Sequence, residues 1–289
     1  MILVDLNQVM ISNLMVQIGN KKNVLIEEDI VRHMVLNSLR MYRTKFQEEY
    51  GELVLCSDDR KYWRRDVFPY YKASRKKDRK ESGLDWRAIF ETINLIRDEI
   101  KENFPYKVLQ VEGAEADDII GALCHKYGIL DNGNGSFENI LILSGDKDFV
   151  QLQKYKNVDQ YSPVQKKFIR TSNPAAFVKE HIMRGDRGDG IPNFLSADNV
   201  FVIEKRQRPL TIKKLSTWVV MEPEEFCSET MLSGYKRNQQ LVDLDFIPEW
   251  LQENILATYD KSTTRGRSKL FPYFINHRLR NLMDSIGDF

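Results

Sequence analysis

The chain has 289 residues, of which 42% are hydrophobic and 29% charged, and its formal net charge is +1. This length suits one large domain or two modest ones, and no apolar run approaches the roughly 18 residues that span a bilayer, so no membrane role is expected. The apolar start at residues 1–4 is too short for a signal peptide, and the widely spaced Cys56, Cys124 and Cys227 argue against disulfides and a zinc site and for a cytoplasmic protein.

The first half of the chain alternates predicted strands with predicted helices. Short apolar runs predict strands at residues 2–4, 53–56 and 140–143, and residues 106–111 are a further strand candidate. Apolar residues at helical spacing predict helices at about 27–50, 86–103 and 115–127. Gly51 and Pro105 are placed to end the first two helices. This alternation predicts a parallel, right-handed α/β sheet.

The second half of the chain is predicted to be helical. Strand-like runs fade beyond about residue 175, and helical patterns follow at 175–183, 212–220 and 250–259. The composition of residues 131–136 predicts a surface loop. We therefore expect an α/β domain over residues 1–180 and a smaller helical domain over residues 181–289.

Acidic residues follow the ends of the predicted strands. They are Asp5, Asp58, Asp59, Glu115, Asp117, Asp118, Asp146 and Asp148. In an open parallel sheet the loops after the strands meet at one edge, so four acidic groups are expected there. A helix cap accounts for some of the acid at 115–118, but three acids exceed what a cap needs.

Such a cluster of carboxylates predicts bound cations. Carboxylates within about 4–6 Å of one another repel, and bound metal relieves that repulsion. Ligation by oxygen alone suits Mg²⁺ or Mn²⁺, and two such ions can support phosphodiester hydrolysis. For any one acid, a solvated loop carboxylate remains the alternative. The scattered His33, His125, His181 and His277 are predicted to be structural or surface residues.

A block of positive charge predicts a polyanion partner. Between Arg60 and Lys80 there are ten basic residues, against only Asp66 and Asp78. Aromatic residues at 62, 63, 70 and 71 are interleaved with this block and favour stacking on an unpaired end nucleotide. A solvated charged helix is the alternative.

Three motifs resemble the flap-endonuclease family of structure-specific 5′ nucleases. They are Glu-Ala-Asp-Asp at 115–118, Ser-Gly-Asp-Lys-Asp-Phe-Val-Gln-Leu at 144–152 and Gly-Asp-Arg-Gly-Asp-Gly-Ile-Pro at 185–192. The resemblance runs nearly end to end, and residues 62–66 and 244–248 favour the phage branch of the family. It implies a parallel-sheet nuclease domain with a basic helical arch at about 60–85, followed by a helical domain containing a helix–three-turn–helix motif.

The resemblance also implies site residues. Two Mg²⁺ ions, with Mn²⁺ as a substitute, would be held on one side by Asp5, Asp58, Glu115, Asp117, Asp118 and Asp146, and on the other by Asp148, Asp186 and Asp189. A Tyr-Lys-x-x-Arg element at 71–75 would place Lys72 and Arg75 at the scissile phosphate. Further nucleic-acid contacts are expected from Arg64, Arg65, Tyr71, Lys76, Lys77, Lys205, Arg206 and Lys213.

One part of the family pattern is altered. The usual Asp-Asn is replaced by Asp189-Gly190, and the Gly-Ile-Gly of many relatives is replaced by the unrelated residues 196–201. These changes argue against the potassium site that the glycines support. Basic residues of the same region are still expected to contact the phosphates of a duplex, because such contacts depend on charge alone.

The resemblance implies a Mg²⁺-dependent 5′ to 3′ exonuclease, with flap endonuclease activity, that acts on RNA·DNA and DNA duplexes. It would remove RNA primers from lagging-strand fragments in phage DNA replication, as a monomer in the cytoplasm of the infected host cell. Contacts with a single-strand DNA-binding protein and a sliding clamp stay open.

Three alternatives are weaker. A compact RNA-cutting domain would not need the basic insertion or the helical half. A catalytically dead nucleic-acid-binding protein would have an eroded acidic set, whereas every family acid is present. An acid-phosphoryl enzyme would usually need a second acid two positions after Asp5, where Asn7 stands.

Overall fold

One six-stranded sheet organises the fold. The computed structural model describes residues 1–19, 26–129 and 138–289, so the loop predicted at 131–136 lies outside the described residues. The strands are β1 Ile2–Asp5, β2 Leu53–Cys56, β3 Lys107–Leu109, β4 Ile140–Leu143, β5 Val158–Ser162 and β6 Lys167–Ile169. Their order is β3-β2-β1-β4-β5-β6, and all neighbours are parallel except β5 and β6. The predicted parallel α/β sheet is confirmed, with an antiparallel edge that was not predicted.

Helices cover both faces of the sheet and make up most of the second half of the chain. They are α1 Leu6–Ile18, α2 Glu28–Tyr50, α3 Trp63–Val67, α4 Arg75–Ser82, α5 Trp86–Asn103, α6 Ala116–Tyr127, α7 Pro174–Arg184, α8 Ile212–Trp218, α9 Pro223–Phe226, α10 Glu229–Val242, α11 Glu249–Lys261, α12 Leu270–Asn276 and α13 Arg280–Met283. Short 3₁₀ helices lie at Lys147–Lys154, Leu244–Phe246, Arg267–Lys269 and Ile286–Asp288. None of the described helices is long and apolar enough to cross a membrane.

Packing divides the chain differently from the predicted boundary at residue 180. That boundary falls inside α7. The end of the chain returns to the sheet, because Phe274 and Phe289 join the core beneath α1, α2 and α5, while Leu251 and Ile255 join the core beneath α6. A third core links α7, α8 and α10 to the chain between α3 and α4. The helical second half is therefore divided among three cores.

The base of the basic segment is fixed to the turn after α7. Residues 185–211, all of which the structure describes, form turns without an α-helix. The Lys72 amide donates to the Asp189 carbonyl at 2.7 Å. Gly190 has a φ of 74°, and a Cβ there would lie 2.9 Å from the Tyr70 carbonyl oxygen, so this close approach requires glycine. The turn thereby holds Asp189 against Lys72 and Arg75.

Candidate metal centre

Acids from four strand ends meet at one edge of the sheet. Asp5 ends β1, and its Oδ2 accepts a 3.2 Å hydrogen bond from Ser144, the residue that follows β4. Asp58 follows β2, and its Oδ1 accepts from the backbone amide of Ala116, at the start of α6, at 2.8 Å. The structure thus brings together the groups that the sequence places far apart, as the parallel topology requires.

Among the described residues, four of these carboxylates form no ion pair with the cations around them. Within the described ranges Asp5, Asp58, Asp117 and Asp146 form no ion pair. Burial, with Asp58 and Asp146 nearby, raises the pKa of Asp5 to about 7. Burial and Asp148 raise the pKa of Asp146 to about 6, and burial, Asp146 and Asp5 raise the pKa of Asp117 well above its usual value. Burial also raises the pKa of Asp58.

This group fits divalent cations. Asp5 is buried and Asp58, Asp117 and Asp146 are partly buried, and none of them is ion-paired within the described residues, so their ionised forms are unfavourable unless another cation is present. Their donors are oxygen atoms only, which matches the preference of Mg²⁺ and Mn²⁺. The raised pKa values are the electrostatic sign of that burial and of the repulsion between the acids.

Glu115 lies beside this group, but it is neutralised by the protein itself. Its Oε2 accepts from Arg64 Nη1 at 3.0 Å and from the Tyr71 hydroxyl at 2.8 Å, and its Oε1 contacts the Lys72 ammonium. Burial alone would raise the pKa of Glu115, but Lys72 and Arg64 outweigh it and lower the pKa. Glu115 therefore stays ionised and holds Lys72 at the centre.

Asp118 serves the helix start. Its Oδ2 accepts from the Glu115 amide at 2.9 Å, which completes a capping box, and both of its oxygens accept from Trp63 Nε1 at 3.2 Å. Arg64 Nη2 lies 2.8 Å from its Oδ1. Both oxygens of the Asp118 carboxylate are therefore occupied by donors of the protein itself. One of the three acids at 115–118 is thus explained by a cap after all.

Two basic-block predictions do not agree with the structure. Arg64 is 3% exposed and Tyr71 is 2% exposed, so neither can reach nucleic acid. The Arg64 guanidinium is used internally, since its Nε donates to the Leu241 carbonyl at 2.9 Å and its other nitrogens bond Glu115 and Asp118. Trp63 is also buried, which leaves Tyr62 and Tyr70 as the partly accessible aromatic residues of that segment.

Asp189 joins the centre from the helical half. Its Oδ1 lies 2.5 Å from Arg75 Nη2, and its Oδ2 accepts from the Tyr71 hydroxyl at 3.1 Å. Lys72 Nζ is 3.6 Å from the same Oδ2. The Lys72 ammonium thereby bridges Glu115 and Asp189, which belong to opposite sides of the predicted metal site.

A histidine that the sequence did not mark lies with the remaining acids. His181, near the end of α7, is buried, and its Nε2 is 2.9 Å from Asp148 Oδ1 and 3.9 Å from Asp186 Oδ2. Lys147 Nζ is 2.8 Å from Asp186 Oδ2. The ligand atoms of Asp148, His181 and Asp186 all lie within 4.8 Å of one another. His181, predicted to be a structural or surface residue, is thus a buried histidine beside two acids of the predicted site.

The remaining basic residues predicted to bind nucleic acid are on the surface. They are Arg65, Lys76, Lys77, Lys205, Arg206 and Lys213. A cleft of about 1100 Å³ separates α4 from residues 187–207, and Lys77, Arg187, Lys205 and Arg206 are among its lining residues. Lys77 and Glu204 form an ion pair across it at 2.5 Å. Asp78, Glu81, Asp198 and Glu204 line it as well, so positive and negative side chains face each other across the cleft beside the turn that carries Asp189.

Comparisons with known proteins give the family. The family model described as 5′-3′ exonuclease, N-terminal resolvase-like domain matches residues 2–182, and the one described as T4 RNase H, C terminal, matches residues 174–289. Ribonuclease H of Enterobacteria phage T4 is 33% identical over 297 residues, covering 99% of this chain and 95% of that protein.

Solved structures share the fold. A phage T5 protein co-crystallised with metal ions has a TM-score of 0.60 at 17% identity, covering 90% of this chain and 97% of its own. A complex of the phage T5 flap endonuclease with DNA and metal ions has a TM-score of 0.56 at 18% identity, covering 90% and 99%. The family resemblance inferred from the motifs is confirmed. This chain belongs to the 5′–3′ exonuclease and flap-endonuclease family of hydrolytic 5′ nucleases, as a homologue of T4 ribonuclease H.

Proposed function

We propose that the chain is a Mg²⁺-dependent 5′ to 3′ exonuclease that acts on RNA·DNA and DNA duplexes and also cleaves 5′ flaps. Its role would be to remove RNA primers, with adjacent DNA, from lagging-strand fragments during phage replication. The observation that carries the proposal is the set of four carboxylates, buried or partly buried and without an ion pair in the described part of the chain, beside Lys72 and Arg75.

The metal ligands are proposed from the charge pattern. Asp5, Asp58, Asp117 and Asp146 would hold one Mg²⁺, and Asp148 and Asp186, with Asp189 beside them, would serve a second. When bound, such ions activate a water and stabilise the oxygens of the phosphodiester being cleaved. Asp118 is proposed to hold Arg64 and the α6 start in place rather than to bind an ion, because its oxygens are fully bonded.

Lys72 and Arg75 would bind the phosphate at the cut. Lys72 is 9% exposed and sits between Glu115 and Asp189, so its ammonium is desolvated and its position is fixed. Arg75 is 41% exposed, so its guanidinium can turn from Asp189 to a substrate phosphate without unfolding its surroundings. Both cations then offset charge that develops on the phosphate oxygens.

The direction of cutting is the test of this function. Purified protein with Mg²⁺ and an RNA·DNA duplex labelled at the 5′ end of the RNA is expected to release products of one to a few nucleotides, and none in EDTA. The same duplex labelled at the 3′ end should give a ladder that shortens from the 5′ side. Labelled nicked, gapped and flapped duplexes then give the balance of exonuclease and flap cleavage. Release from the 3′ end, or uniform internal cutting, would refute the proposal.

Duplex binding is expected to depend on the exposed basic residues of the cleft. Replacing Lys205 or Arg206 with alanine should remove about one phosphate contact each, and so lower the slope of log affinity against log salt by about 0.9 per residue. Fluorescence anisotropy in EDTA measures this without cleavage. Lys101→Ala is the control, since Lys101 is exposed near the end of α5, at the opposite edge of the sheet from the acids. Equal slopes for Lys205→Ala and Lys101→Ala would contradict the prediction.

A further inference from the structure

A nitrogen donor stands among the acids of the second group. Asp148 lies in the 3₁₀ helix after β4, His181 lies near the end of α7, and Asp186 follows two residues after α7 ends. Three separate backbone segments therefore supply one ligand atom each to the same small volume. An all-carboxylate site, as predicted from the sequence, has no need of an imidazole there.

The imidazole is buried, and its Nε2 has no hydrogen-bond partner in the described part of the chain. His181 is 6% exposed, and among the described residues neither its Nε2 nor Asp148 Oδ1 forms a hydrogen bond. The two atoms are nevertheless 2.9 Å apart. A misaligned contact at this distance loses most of its energy, so the hydrogen-bonding capacity of both atoms stays open to a ligand.

The spacing of these atoms suits ligands of one cation. Two ligands about 2.1 Å from an octahedral ion, on adjacent vertices, are about 3.0 Å apart. The 2.9 Å between His181 Nε2 and Asp148 Oδ1 matches that value, and Asp186 Oδ2, at 3.9 Å from the same nitrogen, is within reach of the same ion.

The surrounding protein fixes the donors and leaves them accessible to an ion. The His181 ring packs against Phe177, with ring centroids 6.1 Å apart. Asp186 Oδ1 accepts from the amides of Gly188 and Asp189, at 2.7 and 3.2 Å, which directs Oδ2 toward the histidine. Lys147 is the cation now at that oxygen, and its side chain is 54% exposed, so an arriving ion can displace it into solvent.

We propose that His181 is a metal ligand, and that with Asp148 and Asp186 it forms a site that takes a divalent transition ion in preference to Mg²⁺. Imidazole nitrogen suits Zn²⁺, Fe²⁺ and Ni²⁺, whereas Mg²⁺ prefers oxygen and gives up its waters reluctantly. This inference rests on the proposed function, since it makes Asp148 and Asp186 ligands of the same metal centre. It adds that the two ion positions differ in selectivity, because the four-acid group holds oxygen donors only.

Imidazole NMR tests this directly. The full-length protein, labelled with ¹⁵N-histidine, is titrated with Zn²⁺ and separately with Mg²⁺. The Nε2 signal of His181, assigned by its loss in His181→Asn, is expected to move to the shift of a coordinated nitrogen with Zn²⁺ and to stay in place with Mg²⁺. His125→Asn is the matched control, since His125 is also paired with an aspartate, Asp245, at 3.1 Å, but lies outside the acid cluster.

Calorimetry supplies the second measurement. His181→Asn is expected to bind Zn²⁺ at least about tenfold more weakly, with Mg²⁺ affinity within about twofold of wild type, and His125→Asn is expected to match wild type for both ions. A His181 signal that Zn²⁺ leaves unchanged, or that Mg²⁺ moves equally, would overturn the proposal, as would equal losses of Zn²⁺ and Mg²⁺ affinity. These results do not depend on cleavage. Wild-type protein that cuts from the 5′ end but shows no coordinated nitrogen refutes this inference alone, and the reverse result refutes the proposed function alone.

Discussion

Replacing Asp117 with asparagine is expected to abolish Mg²⁺-dependent cleavage and, at the same time, to make the metal-free protein more stable. The carboxylate of Asp117 is partly buried near Asp146 and Asp5, and within the described ranges it has no ion-pair partner. Its charge is therefore a cost to the metal-free fold and a benefit only when a cation is bound. Asparagine keeps the size of the side chain and removes the charge.

The expected sizes follow from that charge. Loss of one ligand charge should lower the cleavage rate about a thousandfold or more, since bound metal supplies several kcal/mol of transition-state stabilisation. Relief of repulsion between carboxylates should raise the free energy of unfolding in EDTA by about 1–3 kcal/mol. The further stabilisation that Mg²⁺ gives to wild type should shrink in the variant.

Urea unfolding in EDTA and in Mg²⁺, together with single-turnover cleavage, measures both effects. Asp260→Asn is the control, because Asp260 is exposed at the end of α11, and it should stay within about 0.5 kcal/mol of wild type and retain cleavage. A variant that loses cleavage and is also less stable in EDTA would point to a structural role for Asp117, and one that still cuts at the wild-type rate would remove it from the metal centre.

The stability of the metal-free protein is also expected to depend on pH, in a direction set by the raised pKa values of these acids. The folded-state pKa is about 7 for Asp5 and about 6 for Asp146, against an ordinary value of 3.8. Between about pH 4 and 7 the folded protein holds protons that the unfolded chain releases, so the free energy of unfolding in EDTA should fall as pH rises through this window. Asp117, whose pKa is raised well above the ordinary value, contributes to the fall. The Asp117→Asn variant should therefore show a shallower fall.

Strands and helices could be predicted from the sequence where apolar residues stand out clearly from the polar residues around them. β1, β2 and β4 are short apolar runs with abrupt polar ends, and they were predicted within a residue. α1 was missed because it packs against β1, β2, α2 and α5 and is apolar on several sides, which erases the helical periodicity. β5 and β6 were missed because they are short and mix polar with apolar residues, and their pairing depends on the neighbouring strand.

Topology made the acids predictable, but the sequence did not show which way each side chain points. Strand-end acids converge in any open parallel sheet, so Asp5, Asp58 and Asp146 could be assigned from spacing alone. Asp118 resembles them in sequence, yet it faces Trp63 and Arg64. The signal was present as Glu115 followed three residues later by Asp118, which is the spacing of a capping box.

Arg64 and His181 have surroundings that the sequence did not show, and for one reason. Arg64 was counted with an exposed basic block because its neighbours are basic, and His181 was set aside because no acid adjoins it in sequence. Burial of a charged or polar side chain is decided by distant partners, here Leu241 for Arg64 and Asp148 for His181. For His181 a weak local signal existed, since it precedes the Gly185-Asp186 motif by about one helical turn.

Replacing Arg64 with methionine is expected to be the most destabilising single change at the site. The side chain is fully enclosed and compensates two buried carboxylates, those of Glu115 and Asp118. Glu115 would keep Lys72 and Tyr71 as partners, whereas Asp118 would keep only Trp63 and a backbone amide. An uncompensated buried charge costs about 3–5 kcal/mol, so the free energy of unfolding should fall by about that amount.

A second substitution identifies the cause of this loss. If the uncompensated charge of Asp118 is responsible, Arg64→Met combined with Asp118→Asn should be more stable than Arg64→Met alone, although it carries one more change. Arg65→Met is the matched control, because Arg65 is the adjacent residue of α3 but is exposed, and its loss should stay within about 0.5 kcal/mol. Urea unfolding of wild type, Arg64→Met, Asp118→Asn, the double variant and Arg65→Met decides between the outcomes. Equal losses for Arg64→Met and Arg65→Met would show that the buried guanidinium contributes no more than a surface charge, whereas additive losses in the double variant would assign the cost to lost packing instead of charge.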